Sequence, residues 1–161
     1  MRLVLLAGAG MILAVVSGGM GYFTGYSKVR REPGDRLACR ASLDITTRLL
    51  HFSGTMKLYL ADGHGVLLIN GHYQRQHLQE GLLNRKVLFT YTRHGEMLYM
   101  TSQRVDIAVP DNAGNSELAL FLPGFFFTPK VKYNTGLYQQ GDGYIFSGAT
   151  LPFAYCLNGI S

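Results

Sequence analysis

The chain has 161 residues, 15 basic against 10 acidic, and a formal net charge of +5. Beyond Arg36 the balance falls to 10 basic against 8 acidic side chains, so the excess charge belongs to the segment before it. That removes most of the case for nucleic-acid binding, which wants a basic face on the domain. Two cysteines, far apart in the chain, are too few for a zinc site and too distant for a CxxC redox pair.

Leu3 to Tyr26 carries no charged side chain. At about 1.5 Å per helical residue this run reaches across a hydrocarbon core of about 30 Å. Arg2 followed by Leu3 to Val16, with Val16-Ser17-Gly18 as a cleavage site, also fits a secretory leader. The apolar run does not stop there, however. Met20, Tyr22, Phe23 and Tyr26 extend it, and tyrosines at its far end suit a membrane interface. The expectation is an uncleaved anchor over residues 1–26. Ser17, Gly21 and Gly25 are spaced by four along it, a small-residue stripe that lets two spanning helices approach closely.

Residues 27–36 read as a juxtamembrane linker, charged enough to touch anionic headgroups. Residues 37–161 read as one domain, large enough for a core of its own. Leu37, Cys39, Ala41, Leu43 and Ile45 alternate with smaller or polar residues, the period of a strand with one apolar face. Met56, Leu58 and Leu60 repeat that pattern. Asp62-Gly63-His64-Gly65 is a turn signal, and Val66 to Tyr73 returns as the partner strand. Gly81 reads as a bend.

Val87, Phe89 and Tyr91 alternate in the next strand, Arg93-His94-Gly95 turns the chain, and Glu96 to Arg104 returns. Pro110, Asp111, Asn112 and Gly114 mark a loop, Glu117 to Leu122 is ambiguous, and Pro123-Gly124 is a turn. A third hairpin joins Val131–Gln139 to Gly143–Ser147, and Leu151–Leu157 closes the chain as a strand. About eight short strands joined by hairpins predict a mainly β domain, an antiparallel lipocalin-like or incomplete barrel, with a sandwich second.

Cys39 and Cys156 stand at the two ends of this domain. A bridge would encircle nearly all of it; the other reading is two buried thiols. Their position behind an export-type leader favours the bridge and an oxidising compartment.

The sequence contains no GxSxG, HExxH, P-loop or GxGxxG motif, so no enzyme is expected and no cofactor. His51, His64, His72, His77 and His94 lack ligand spacing, and no metal is expected. Aromatics crowd the second half. An ordinary core accounts for most of them, and an apolar ligand cavity is the functional reading. Phe125-Phe126-Phe127, read as a strand, cannot turn every ring to one core. With Phe89 and Tyr91 these rings are the candidate ligand or partner surface.

The closing Pro152-Phe153-Ala154-Tyr155-Cys156, the hairpin from Gly54 to Val66 and the Asn70-Gly71-His72-Tyr73 that follows resemble the FidL-like membrane proteins of enteric bacteria. The resemblance covers essentially the whole chain. Such proteins are similar in arrangement to ToxS and VtrC, the periplasmic partners of membrane-bound transcription factors. The resemblance implies a single-span protein of the bacterial inner membrane, N-terminus cytoplasmic and C-terminal domain periplasmic. It further implies a heterodimer with a ToxR-like winged-helix regulator, a shared pocket for a bile-salt or lipid-like ligand, and no direct contact with nucleic acid. A standalone lipocalin-like binder of apolar molecules, anchored or secreted, is the alternative.

Overall fold

Alternation of apolar and polar residues turns one side of each strand inward, and the strands close on themselves. The computed structural model describes residues 36–75, 80–148 and 151–159. Eight strands follow in chain order: β1 (Leu37–Thr46), β2 (Leu50–Ala61), β3 (His64–Arg75), β4 (Glu80–His94), β5 (Met97–Ile107), β6 (Lys132–Gln140), β7 (Gly143–Ser147) and β8 (Pro152–Asn158). Each pairs antiparallel with the next, and β8 returns to β1, so the barrel is closed within this chain. Closure gives strands on both sides of every member and removes the free sheet edges of an open meander.

The turns carry the residues their geometry demands. Asp62-Gly63 joins β2 to β3, and both residues have positive φ, as a type I′ hairpin requires. Gly95 and Gly141 open the β4–β5 and β6–β7 loops with φ of 60° and 55°. Phe52, Met56 and Leu58 on β2, Leu67 and Ile69 on β3, and Leu83, Val87 and Phe89 on β4 point inward and are buried.

The strands are unequal. β5 meets β6 only over Met97–Thr101, and β1 meets β8 only over Cys39–Ala41. The segment 108–131 crosses the barrel end formed where β2 and β4 begin and β3 and β5 finish. It contains one helical turn, α1 (Asn115–Leu118), and a 3₁₀ turn at Gly124–Phe126. Leu118, Leu122, Phe125 and Phe126 from this segment are buried.

Three local expectations are corrected. Gly81 lies inside β4, not at a bend, because it faces Tyr73 across the ladder and its missing side chain gives room to that ring. The first hairpin turn is two residues long, and His64 and Gly65 already belong to β3. Phe125-Phe126-Phe127 is not a strand but the 3₁₀ turn and the residue after it. The expected anchor over 1–26, its stripe of Ser17, Gly21 and Gly25, and the linker up to Asp35 lie outside the described residues. Among the described residues no helix is long and apolar enough to cross a membrane.

Candidate functional site

β4 turns Gly81, Leu83, Arg85, Val87, Phe89 and Tyr91 to the inside, and Arg85 is the one charged side chain in that series. It is only 2 % exposed. Its Nε donates to Asp111 Oδ2 at 3.1 Å, Nη1 to Asn115 Oδ1 at 2.9 Å and Nη2 to the Ala113 carbonyl at 2.6 Å. Asp111 is equally enclosed and also accepts the backbone N–H groups of Asn84 and Ala113, at 2.9 and 3.0 Å. A buried ion is tolerated only when paired and fully hydrogen-bonded, and both members here are.

A second clamp stands beside it. Glu117 accepts from the Tyr73 hydroxyl at 2.6 Å, from Arg75 Nη1 at 3.1 Å and from the Gly114 N–H at 3.3 Å. The Tyr73 hydrogen bond, first among these donors, holds the Glu117 carboxyl below the usual carboxylate range. Burial, then the neighbouring carboxylate, pushes Tyr73 up to about 12. Together the two clamps fasten 108–131 to β3 and β4. Their carboxylates are saturated with donors, which suits anchorage.

Of the rings singled out in the sequence, Phe89 and Phe125 meet edge to face at 5.4 Å, and Phe125 and Phe126 do so at 5.5 Å. Phe89, Tyr91, Phe125 and Phe126 are buried and Phe127 is half-buried. The structure gathers four of them into the barrel core. Phe125 and Phe126 lie in the 108–131 segment itself, whereas Phe89 also borders a groove beside His64 and Gly65 at the opposite barrel end. Sequence reading counted Phe121 among the crowded aromatics but missed its partners Phe52 and Tyr73, whose ring centroids lie 5.1 and 5.9 Å from it. It also missed Arg85, although a lone arginine on an apolar strand face was a readable signal.

Cys39 and Cys156 are bonded, with their Cα atoms 5.3 Å apart. The register explains the pairing: Ala41 lies opposite Cys156, so Cys39 sits diagonally across the β1–β8 seam. The match to the family model "YqeJ C-terminal domain" runs over residues 39–156, from one bridged cysteine to the other. The chain belongs to the YqeJ C-terminal domain family. No curated protein and no solved structure matches it.

In this YqeJ-type barrel the short strands carry an apolar outer face. Tyr138 on β6, Ile145 on β7 and Tyr155 on β8 stand in one cross-strand row. Tyr138 is 40 % exposed, Tyr155 43 % and Leu157 55 %. Phe153, 43 % exposed, lies beside Phe146 with ring centroids 5.8 Å apart. Exposed apolar side chains are normal singly, whereas a contiguous aromatic face marks an interaction surface.

Proposed function

We propose that this chain is a single-span inner-membrane accessory protein whose periplasmic barrel pairs with and stabilises a ToxR-like membrane-bound transcriptional regulator. The observation that carries the reading is the outer face of β6–β8, where Tyr138, Ile145 and Tyr155 align and Phe153 and Leu157 flank them. Two exposed tyrosines in one row, with an exposed phenylalanine beside them, match the composition of a protein-binding core. The uncharged run from Leu3 to Tyr26 supports an anchor, and the Cys39–Cys156 bridge supports an oxidising compartment. The likeness to FidL-like proteins, and through them to ToxS-type partners, supplies the kind of partner.

The pair forms a pocket for a bile-salt-like apolar ligand at the joint between the two domains. The reading places it at the joint because Phe52, Phe89, Phe125, Met56 and Leu58 already occupy the inside of this barrel.

The test is affinity purification of the full-length protein in mild detergent, with mass spectrometry of what accompanies it. A winged-helix, single-span protein recovered in near-stoichiometric amount is expected. Tyr138→Asp with Tyr155→Asp is expected to remove it while leaving the barrel folded. Recovery of this chain alone, even after crosslinking in intact cells, sinks the reading in favour of a standalone binder.

A further inference from the structure

Residues on the outer side of the long strands form rows, because each register position on one strand sits opposite a position on the next. One row runs Ala38, Tyr59, Val66, Leu88 across β1 to β4. It borders a groove of about 680 Å³ that also reaches Arg36, Leu60 and Gly65. The next row runs Arg40, Lys57, Leu68, Lys86.

Two of its charges are arranged against folding. Arg40 and Lys57 are directly opposite, and like charges so placed repel. Lys86 faces Asp106 on β5, but Asp106 is held by Arg104 at 2.9 Å. Among the described residues Arg40, Lys57 and Lys86 have no ion pair. An apolar row beside an uncompensated basic row matches a surface that is apolar below and anionic above. Lysine and arginine stems then lie on the apolar layer while their heads reach the charged one.

The sequence sets the distance to such a surface. Residues 27–35 separate the apolar run from Arg36, and an extended chain spans at most about 3.6 Å per residue, on the order of 30 Å here. Arg36, the first described residue, lines the groove. Lys28, Arg30 and Arg31 add positive charge on the way. In strand order β2–β4 lie across the barrel from β6–β7, and the two faces adjoin where Arg40 on β1 stands opposite Leu157 on β8.

We propose that the outer face of β1–β4 rests on the surface of an anionic bilayer, with Tyr59, Val66 and Leu88 at the acyl boundary and Arg40, Lys57 and Lys86 on the headgroups. The inference rests on the anchored reading of residues 1–26. It makes the barrel a domain of fixed orientation, with lipid against β1–β4, the partner against β6–β8, and the two meeting at the β1–β8 seam.

The chain has no tryptophan, so one introduced tryptophan is a clean reporter. Full-length Leu88→Trp, and separately Tyr59→Trp, is reconstituted into vesicles of phosphatidylcholine alone or with phosphatidylglycerol, each with brominated acyl chains as quencher. Phe23→Trp reports on the anchor. Quenching of the Leu88→Trp and Tyr59→Trp reporters in the anionic vesicles is expected. Charge reversal at Arg40, Lys57 and Lys86 is expected to weaken it roughly five-fold per residue, as is added salt more gradually. If Phe23→Trp is quenched while both barrel reporters are not, the inference is overturned and the anchor stands. If Phe23→Trp itself escapes quenching, the anchored reading fails first. Protection of the barrel reporters only when a partner protein is co-reconstituted overturns the lipid assignment and gives this face to that protein.

Discussion

Asp111 receives two guanidinium N–H groups of Arg85 and two backbone N–H groups, all where side-chain exposure is only 2 %. Removing one ion of such a pair strands the other in the core, which costs about 3–5 kcal/mol, whereas replacing both by apolar groups is often neutral. Arg85→Met is therefore expected to lower the urea midpoint sharply, and Arg85→Met with Asp111→Leu to recover much of the loss. A double variant as unstable as the single one would show that the backbone donors of Asn84 and Ala113, not the ion pair, need Asp111. Glu117 gives a pH signature. Its carboxyl is held down in the fold, so its contribution is present above the ordinary carboxylate range and is lost as pH falls through the lowered value. Tyr73 is the opposite case: pushed up to about 12, it contributes below about pH 10 and loses that contribution as pH rises towards 12. Glu117→Gln should flatten the acid limb of a stability–pH curve, and Tyr73→Phe should flatten the alkaline one as well. An unchanged acid limb in Glu117→Gln would assign acid unfolding to other carboxylates.

At the scale of strands and turns, alternation made most of the barrel legible. Leu37 to Ile45 and Val87 to Tyr91 announce strands because only one face is buried, and Asp62-Gly63 announces a hairpin because both residues tolerate positive φ. Gly81 was not legible. A glycine signals either a bend or a place where another residue needs the space, and only the cross-strand partner decides. Here the partner is Tyr73, and the same arrangement recurs where Phe89 lies over Gly65 on the neighbouring strand. Gly65→Ala would put a methyl group into the Phe89 ring, so it is expected to cost about 1–3 kcal/mol, relieved by pairing it with Phe89→Leu. Additive rather than compensating losses would count against the ring as the source. The aromatic run at Phe125 was misread for a related reason: strand logic allows one inward face, but a turn laid across a barrel end meets core on more than one side. The Glu117 clamp was illegible because Glu117 reaches Tyr73 and Arg75 across more than forty residues of chain.

For the whole molecule, the question is which seam holds least. β1 and β2 pair from Leu37–Leu60 to Thr46–His51, and β3 and β4 pair along nearly their full length. β1 and β8 meet only from Cys39–Asn158 to Ala41–Cys156. Few ladder hydrogen bonds guard that seam, and the disulfide crosses it with a sequence separation of 117. A covalent link across a long loop restricts the unfolded chain, an effect worth about 2–5 kcal/mol in native bridges. It also keeps β8 seated, and β8 carries Phe153, Tyr155 and Leu157 of the proposed partner face. Reduction, or Cys39→Ser with Cys156→Ser, is therefore expected to act locally before it acts globally. Amide exchange should rise first in β8 and along the β8-facing side of β1, while β2 to β4 keep their protection. Recovery of a partner protein should fall in parallel, at temperatures where the rest of the barrel is still folded. Uniform loss of protection across all strands would mean that the barrel opens as one unit, and the bridge would then serve overall stability without any special hold on the β8 face.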